Sequence, residues 1–579
     1  MKEKRLVKRA IYSLSSIFVA LSVSSTIAAA EAPQFASTKP NVLLIVADDL
    51  GFSDIGSFGG EIPTPTLDSL AHSGIRFSQF YATPNCSPTR AMLLTGEDHH
   101  RAGMGSMAEA LRSFPMLKGK PGYEGFLLPK TRSIAEVFSD NGYATYMAGK
   151  WHLGLTPELM PSAHGFDRSF VLLQGGGDHF GVGQNGGASL QQAHYREDGQ
   201  PATYPTGEFS SDVYASRLIH YLESESDEEK PFFAYLAFTA PHWPLQAPAA
   251  MIARHQGKYG AGPFALKQKR LEGMRKQGVV PEGTPDLPEP AAYWDDLTEA
   301  ERQLESRYME IYAAMVESID TNTARVIDYL RERGDLDNTI IFFMSDNGAE
   351  GIDRNALIQR TASTSPEQFR DDLLATVKQA NGDLSQMGSS DSFLTYGKRW
   401  AEAATPPGNL FKGHTYEGGV RVPAFISGPG VSGSRIIHSK TWVRDVMPTL
   451  LEMAGIDYSL PEPGAVVTSL GKVSLPNARS MAPIIEGGQS HIRGELDAFA
   501  WELHLSRGVR VGQWKAVFTR EGRPGGVPSW SLHNLENDPY EKIDVSSKEP
   551  EVMESLLAVW GAYAEANGVV IPGPRRPNQ

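Results

Sequence analysis

The sequence predicts an α/β protein: a large, mostly parallel sheet flanked by helices, followed by a smaller C-terminal α+β domain containing an antiparallel sheet. Three observations predict it. The runs Asn41 to Ala47 (NVLLIVA) and Thr339 to Ser345 (TIIFFMS) are apolar and include β-branched residues, as strands buried on both faces are. Further strand-like runs alternate with helical segments, the pattern of a crossover-connected sheet. From about Leu460 the pattern changes to Pro- and Gly-rich sequence over 461–488 and then to shorter strand-like pieces.

The elements follow in order. Lys2, Lys4, Arg5, Lys8 and Arg9 precede a mostly apolar stretch, Ile11 to Ala28, and Ala28, Ala29 and Ala30 offer small residues for cleavage. Residues 1–30 therefore read as an export signal, which implies export machinery as a partner and a protein working outside the cytoplasm, in the periplasm or beyond it. Serines dilute the stretch, so a permanent membrane anchor is not expected. The remaining chain is long for one ordinary domain and divides into a larger domain over 38–459 and a smaller domain over 460–575.

Within the larger part, Ile75 to Ala82, Ala144 to Ala148 and Phe232 to Phe238 read as strands, and Thr66 to Ser73, Ala91 to Thr95, Ser133 to Asn141 and Asp212 to Glu223 as helices. Residues from about 300 to 331 form a long amphipathic helix feeding the Thr339 strand. Stretches 171–210, 246–292 and 350–407 look like insertions over the sheet, either shaping access to a ligand edge or decorating the surface. In the smaller part, Gly508 to Val511, Trp514 to Thr519 and Trp530 to Asn534 read as strands and Glu549 to Asn567 as a helix, before a proline-rich tail.

The formal net charge is −14, and loss of the basic leader makes it more negative. Such a surface excludes nucleic acid as a partner. An anionic small molecule could bind only where local positive charge overcomes the global field.

The two buried runs end in Asp48-Asp49 and in Asp346-Asn347. Open α/β sheets bind their ligands at the carboxyl ends of strands. One aspartate there would more simply cap the next helix. Two apolar runs with doubled oxygen-bearing ends point to a hard cation, Ca2+ or Mg2+, since carboxylates buried together repel without one. The chain holds a single cysteine, Cys86, in the run Asn85-Cys86-Ser87-Pro88-Thr89-Arg90. It cannot form a disulfide within the chain. It reads either as a buried structural thiol, against its polar neighbours, or as a thiolate nucleophile at a helix N-terminus, against the vulnerability of a free thiol outside the cytoplasm.

Cys86-Ser87-Pro88-Thr89-Arg90 resembles the sulfatase maturation motif C-x-P-x-R, in which the cysteine is oxidised to Cα-formylglycine. Further matches come in family order: Asp48-Asp49, Gly149-Lys150-Trp151-His152-Leu153-Gly154, Pro241-His242, Ser345-Asp346-Asn347-Gly348, Lys412 within the run 411–423, and Leu535-Glu536-Asn537-Asp538-Pro539. Nearly all the chain after residue 38 resembles formylglycine-dependent arylsulfatases of the alkaline-phosphatase-like superfamily. The resemblance implies a formylglycine at position 86 made by a maturation enzyme, and Ca2+ held by Asp48, Asp49, Asp346 and Asn347. It implies hydrolysis of small sulfate monoesters by the hydrated aldehyde, one hydroxyl attacking sulfur and the other allowing sulfate to be eliminated.

By the same resemblance Arg90 orients the nucleophile and Lys150 bridges it to the sulfate. His152 takes the proton during elimination, Lys412 binds sulfate, and Lys412 with His242 serves the leaving oxygen. Lys150 and His152, two apart, would face the same way in an extended segment. Arg90, Lys150, Lys412 and the metal would supply the positive field that the acidic surface lacks. Two other functions compete: a phosphate or phosphonate ester hydrolase on the same fold, and a non-catalytic protein binding sulfated ligands.

Overall fold

The computed structural model describes residues 39–181, 193–224, 230–287, 292–352, 384–390, 392, 394–431, 433–459, 462–519 and 528–571. The export signal expected at 1–30, the proline-rich tail beyond 571 and the middle of the 350–407 stretch lie outside the described residues. No helix among the described residues is long and apolar enough to cross a membrane.

Among the described residues, the larger part of the chain begins with β1 (Asn41–Ala47), β2 (Ile75–Phe77), β3 (Phe80–Tyr81), β4 (Ala144–Lys150), β5 (Arg168–Leu172), β6 (Tyr195–Glu197), β7 (Gln200–Pro201), β8 (Phe232–Ala237), β9 (Thr339–Ser345), β10 (Ala424–Ser427) and β11 (Arg435–Ile437). All but β3 form one sheet in the order β11-β2-β10-β9-β1-β8-β4-β5-β6-β7. Its centre is parallel, with β1 paired to both β8 and β9 and β4 to both β8 and β5. β10, β6 and β7 add antiparallel pairs.

The apolar runs become strands because both faces of the sheet are covered. Leu43, Ile45 and Ala47 enter one core, and Val42, Leu44 and Val46 the other, the alternation a strand imposes. The first core lies under the long helix Glu299–Arg333, which starts at a Thr298–Glu301 capping box and stops at left-handed Gly334. The second lies under the helices Cys86–Thr95, Ile134–Asp140 and Val446–Met453.

Three sequence expectations are corrected here. The strand expected over Ile75 to Ala82 is split at Ser78 and Gln79. Ser78 bonds back to Ile437 O and His438, so β3 leaves the main sheet to pair with β12 (Thr441–Trp442). The helix expected to begin at Ala91 begins at Cys86. Pro88 is in its first turn, where a missing N–H costs nothing. The 171–210 stretch does not only lie over the sheet, because β6 and β7 within it extend the sheet edge.

The C-terminal part carries a two-stranded antiparallel ribbon, β13 (Ala465–Thr468) with β14 (Gly471–Ser474), and a four-stranded antiparallel sheet. The latter comprises β15 (Ala498–Leu503), β16 (Ser506–Val511), β17 (Trp514–Thr519) and β18 (Ser529–Asn534). The helix Pro550–Asn567 packs on that sheet through Leu556, Val559, Trp560 and Tyr563. β15 joins the two parts of the molecule. Ala498 and Ala500 face the C-terminal core while Phe499 and Trp501 face the main one, and Trp501 Nε1 donates to Ala82 O at 2.9 Å.

Candidate active site

The site sits where β1, β9 and β4 end. Ala47 lies opposite Ser345 in the parallel register, so Asp48 and Asp346 leave the sheet side by side. Two consecutive aspartates on a strand would point to opposite faces. Asp49 instead has φ 70, a left-handed turn that Asp tolerates better than most residues. This brings both carboxylates into one buried cluster with Cys86 and His242. Asp49 N donates to Asp346 Oδ1 at 3.2 Å and Leu50 N to Ser345 Oγ at 2.9 Å, tying the two strand ends together.

Cys86 is the first residue of its helix and is 1% exposed. Its Sγ lies 3.7 Å from Asp49 Oδ1. Burial pushes the thiol well above its ordinary range, an effect that Lys150 and Lys412 only oppose. This burial works against the thiolate that its place at a helix N-terminus suggests.

Arg90, one turn on and fully buried, donates from Nε to Asp346 Oδ2 at 2.9 Å and from Nη1 to Lys150 O at 3.0 Å. Its Nη2 is 2.7 Å from Asp346 Oδ2 and 3.8 Å from Asp48 Oδ1. Lys150 Nζ donates to Asp48 Oδ2 at 2.6 Å. Gly149 makes this possible: its φ is 123, and a Cβ there would lie 1.8 Å from Ala237 O. Lys412 Nζ donates to Asp49 Oδ2 at 2.9 Å and is 3.0 Å from Glu350 Oε2. Asn347 Nδ2 donates to Asp49 Oδ1 at 2.6 Å.

These contacts set the protonation pattern. Burial, reinforced by the adjoining carboxylates, raises Asp48, although Lys150 opposes it. Burial acts the same way on Asp49, but Lys412, His242 and Lys150 together outweigh it and hold that carboxyl low.

His242 and His152 sit differently. His242 follows the end of β8; its Nδ1 donates to Trp243 O at 2.6 Å, which leaves Nε2 facing Asp49 Oδ2 at 3.6 Å. His179 supports this turn, its Nε2 lying 2.9 Å from His242 O. The expected alternation of Lys150 and His152 does not hold. β4 ends at Lys150, and His152 has φ 60. Lys150 reaches Asp48, whereas His152 Nε2 lies 3.0 Å from Glu109 Oε1.

The donors suit a hard cation. Asp48, Asp49 and Asp346 offer carboxylates and Asn347 an amide oxygen. Asp48 Oδ1 and Asn347 Oδ1 are buried with no hydrogen-bond partner among the described residues, as oxygens kept for a metal would be. Sequence reasoning missed Glu109, Glu350, His179 and Tyr235, whose hydroxyl accepts from Arg90 Nη1 at 3.3 Å. None of them belongs to a motif, although Glu350 follows Ser345–Gly348 by two residues, and the fold brings each to the site.

A cation-suited oxygen cluster at the carboxyl edge of this sheet, facing a helix N-terminus, can hold an anionic ester against a metal and cationic side chains. The sulfatase family model matches residues 40–456. An uncharacterised sulfatase of Schizosaccharomyces pombe is 40% identical over 550 residues, covering 93% of this chain and 95% of its own. An arylsulfatase of Klebsiella aerogenes is 38% identical over 424 residues, covering 72% of this chain and 87% of its own. A crystal structure of Ps i-CgsB in complex with a neocarrahexaose superposes with a TM-score of 0.60 over 92% of this chain and 98% of that one, a likeness of fold at 23% identity. The chain belongs to the formylglycine-dependent sulfatase family, and its activity is the hydrolysis of sulfate esters.

Proposed function

We propose that the protein hydrolyses sulfate monoesters of phenols and other small organic alcohols, with Cys86 converted to Cα-formylglycine by a maturation enzyme and Ca2+ held by Asp48, Asp49, Asp346 and Asn347. The observation that carries this is the convergence of Cys86, the oxygen donors and the cations Arg90, Lys150 and Lys412 in one buried cluster. Likeness to the Klebsiella aerogenes arylsulfatase supports the aryl class. The basic-then-apolar leader supports export to the periplasm or beyond. The division into a catalytic domain, 38–459, and a smaller one, 460–575, agrees with a C-terminal sheet separate from the main one.

Formylglycine supplies a hydrated aldehyde, whose two hydroxyls serve attack at sulfur and release of sulfate. Ca2+ supplies a divalent charge against the sulfate oxygens. Arg90, clamped by Asp346, orients residue 86. Lys150 and Lys412 hold the anion from two sides. His152 takes up a proton as sulfate leaves, and His242 with Lys412 serves the leaving oxygen.

Mass spectrometry of the peptide holding residue 86 tests the reading together with elemental analysis and a turnover panel of sulfate monoesters, a phosphate monoester and a phosphodiester. The expected result is an aldehyde or its hydrate at position 86, about one calcium per chain, and turnover of sulfate esters first. An intact thiol throughout an active preparation, or two zinc ions with preferred phosphate turnover, would overturn it.

A further inference from the structure

His152 is held in a way that ordinary packing does not require. Its backbone is left-handed, φ 60, a conformation that non-glycine residues keep mainly where the surroundings impose it. The residue is 8% exposed, and Nδ1 is buried without a hydrogen-bond partner among the described residues. Leaving such an atom unpaired costs its desolvation with no bond in return. The ring cannot swing away on one side, because Gly175 lies flat against it: a Cβ at 175 would be 2.4 Å from Cε1 and 2.6 Å from Nε2.

Nε2 is taken by Glu109 Oε1 at 3.0 Å. Glu109 arrives from the loop that follows the Cys86–Thr95 helix, and its side chain is 47% exposed. Burial alone would raise its carboxyl, yet His152 holds it below the usual carboxylate range, so it is ionised and can only accept. The ring proton therefore sits on Nε2, and the Nδ1 lone pair is left bare.

We propose that Glu109 is a positioning residue for His152, fixing the tautomer and orientation that make Nδ1 the proton acceptor. Its consequence for turnover rests on the sulfatase reading above. The step moves one proton. Nδ1 would accept the proton of the hydroxyl left on residue 86 as sulfate is expelled: that O–H bond breaks, its electron pair closes the carbonyl, and the C–O bond to sulfate breaks with sulfate taking the pair; the imidazolium keeps Nε2–H donated to Glu109, and Nδ1 then returns the proton to water. The charged groups acting on His152 are Glu109, which favours its protonated form, and Lys150 and Arg90, which oppose it, along with burial. This is the task of the buried carboxylate behind a catalytic histidine, done here by a side chain half in solvent.

The test separates the pair from the reaction. Exchange of the His152 ring C2–H, followed by mass spectrometry across pH, reads its protonation in full-length C86A protein, where no modified residue is needed. Glu109→Gln should move the His152 midpoint to lower pH, and Glu109→Asp should move it less. In the converted enzyme Glu109→Gln should lower kcat roughly ten- to a hundredfold, a range typical of losing a functional histidine's partner, with KM little changed. The acid limb of the kcat profile should move the same way as the exchange midpoint. Superimposable exchange profiles in C86A and C86A/E109Q would overturn the pairing. A moved midpoint with unaltered kcat would overturn the positioning role. A wild-type enzyme inert toward every sulfate ester, with the midpoint still moved by Glu109→Gln, would overturn the sulfatase reading and leave the pair established.

Discussion

Lys515→Met should loosen the attachment of the C-terminal sheet, and the size of the effect follows from three buried side chains. Lys515 Nζ lies 2.8 Å from Glu417 Oε1 and 3.0 Å from Glu541 Oε1, with its side chain 0% exposed. Glu541 Oε2 also accepts from Glu417 N at 2.7 Å, and Tyr81 OH donates to Glu417 Oε2 at 2.8 Å. Methionine fills the volume of the lysine stem but leaves two carboxylates facing each other. Removal of one partner from a buried ionic group gives a loss of about 3–5 kcal/mol. That is roughly two to three and a half decades in the unfolding constant.

The penalty should depend on pH. Burial and the neighbouring Glu417 raise the Glu541 carboxyl above its ordinary value, and Lys515 restrains the rise. A carboxyl raised in the folded state favours that state when protonated, so stability falls as pH rises through the raised value. Without Lys515 the rise is larger, and the penalty is greater at about pH 8 than at about pH 5.5. Urea unfolding followed by tryptophan fluorescence at both pH values measures it, and Lys515→Met/Glu541→Gln should recover part of the loss. A change below about 1 kcal/mol at the higher pH, or a larger penalty in acid, would refute the reasoning.

Two further predictions concern other buried charges. Asp346→Ala removes the two bonds from Asp346 to the Arg90 guanidinium, leaving those to Lys150 O and Tyr235, and one oxygen of the proposed calcium site. It should lower stability by about 3–5 kcal/mol and abolish bound calcium, so a variant that melts like wild type with one calcium per chain would contradict it. His100 is clamped between Asp98 Oδ1 and Glu502 Oε2, each at 2.9 Å. Burial alone would lower its pKa, but the two carboxylates push it up to about 9. A histidine raised in the folded state contributes stability that is full below its ordinary value and is lost as pH climbs through the raised one. His100→Gln should therefore flatten the alkaline fall in melting temperature, and an unchanged slope would rule out this clamp as its source.

Legibility in the sequence followed the range of the interaction concerned. β1 and β9 were plain because seven consecutive residues in each are buried, and apolar runs with β-branched residues announce that. Ala498–Leu503 was not seen as a strand, since AFAWEL has no β-branched residue and short apolar runs do not arbitrate between helix and strand. The start of the catalytic helix was hidden by Pro88, which breaks a helix interior but not a first turn. At the site, the clustering of Asp48, Asp49, Asp346 and Asn347 with Arg90, Lys150 and Lys412 was readable from the motifs. Glu109 was not, because it stands 43 residues from His152 in a stretch without periodicity. The same holds for Lys515, whose partner Glu417 is 98 residues away. The alternation argument for Lys150 and His152 failed where φ changes sign, which no spacing rule foresees.

The ten residues of the Cys86–Thr95 helix are all buried, with the cysteine at its head 1% exposed. A modifying enzyme has to close its own active site around a sulfur atom, and here no surface offers that sulfur. On the proposed conversion of Cys86, timing would therefore matter: the enzyme would have to meet the chain before this helix is packed, and a molecule that folds first would keep its thiol.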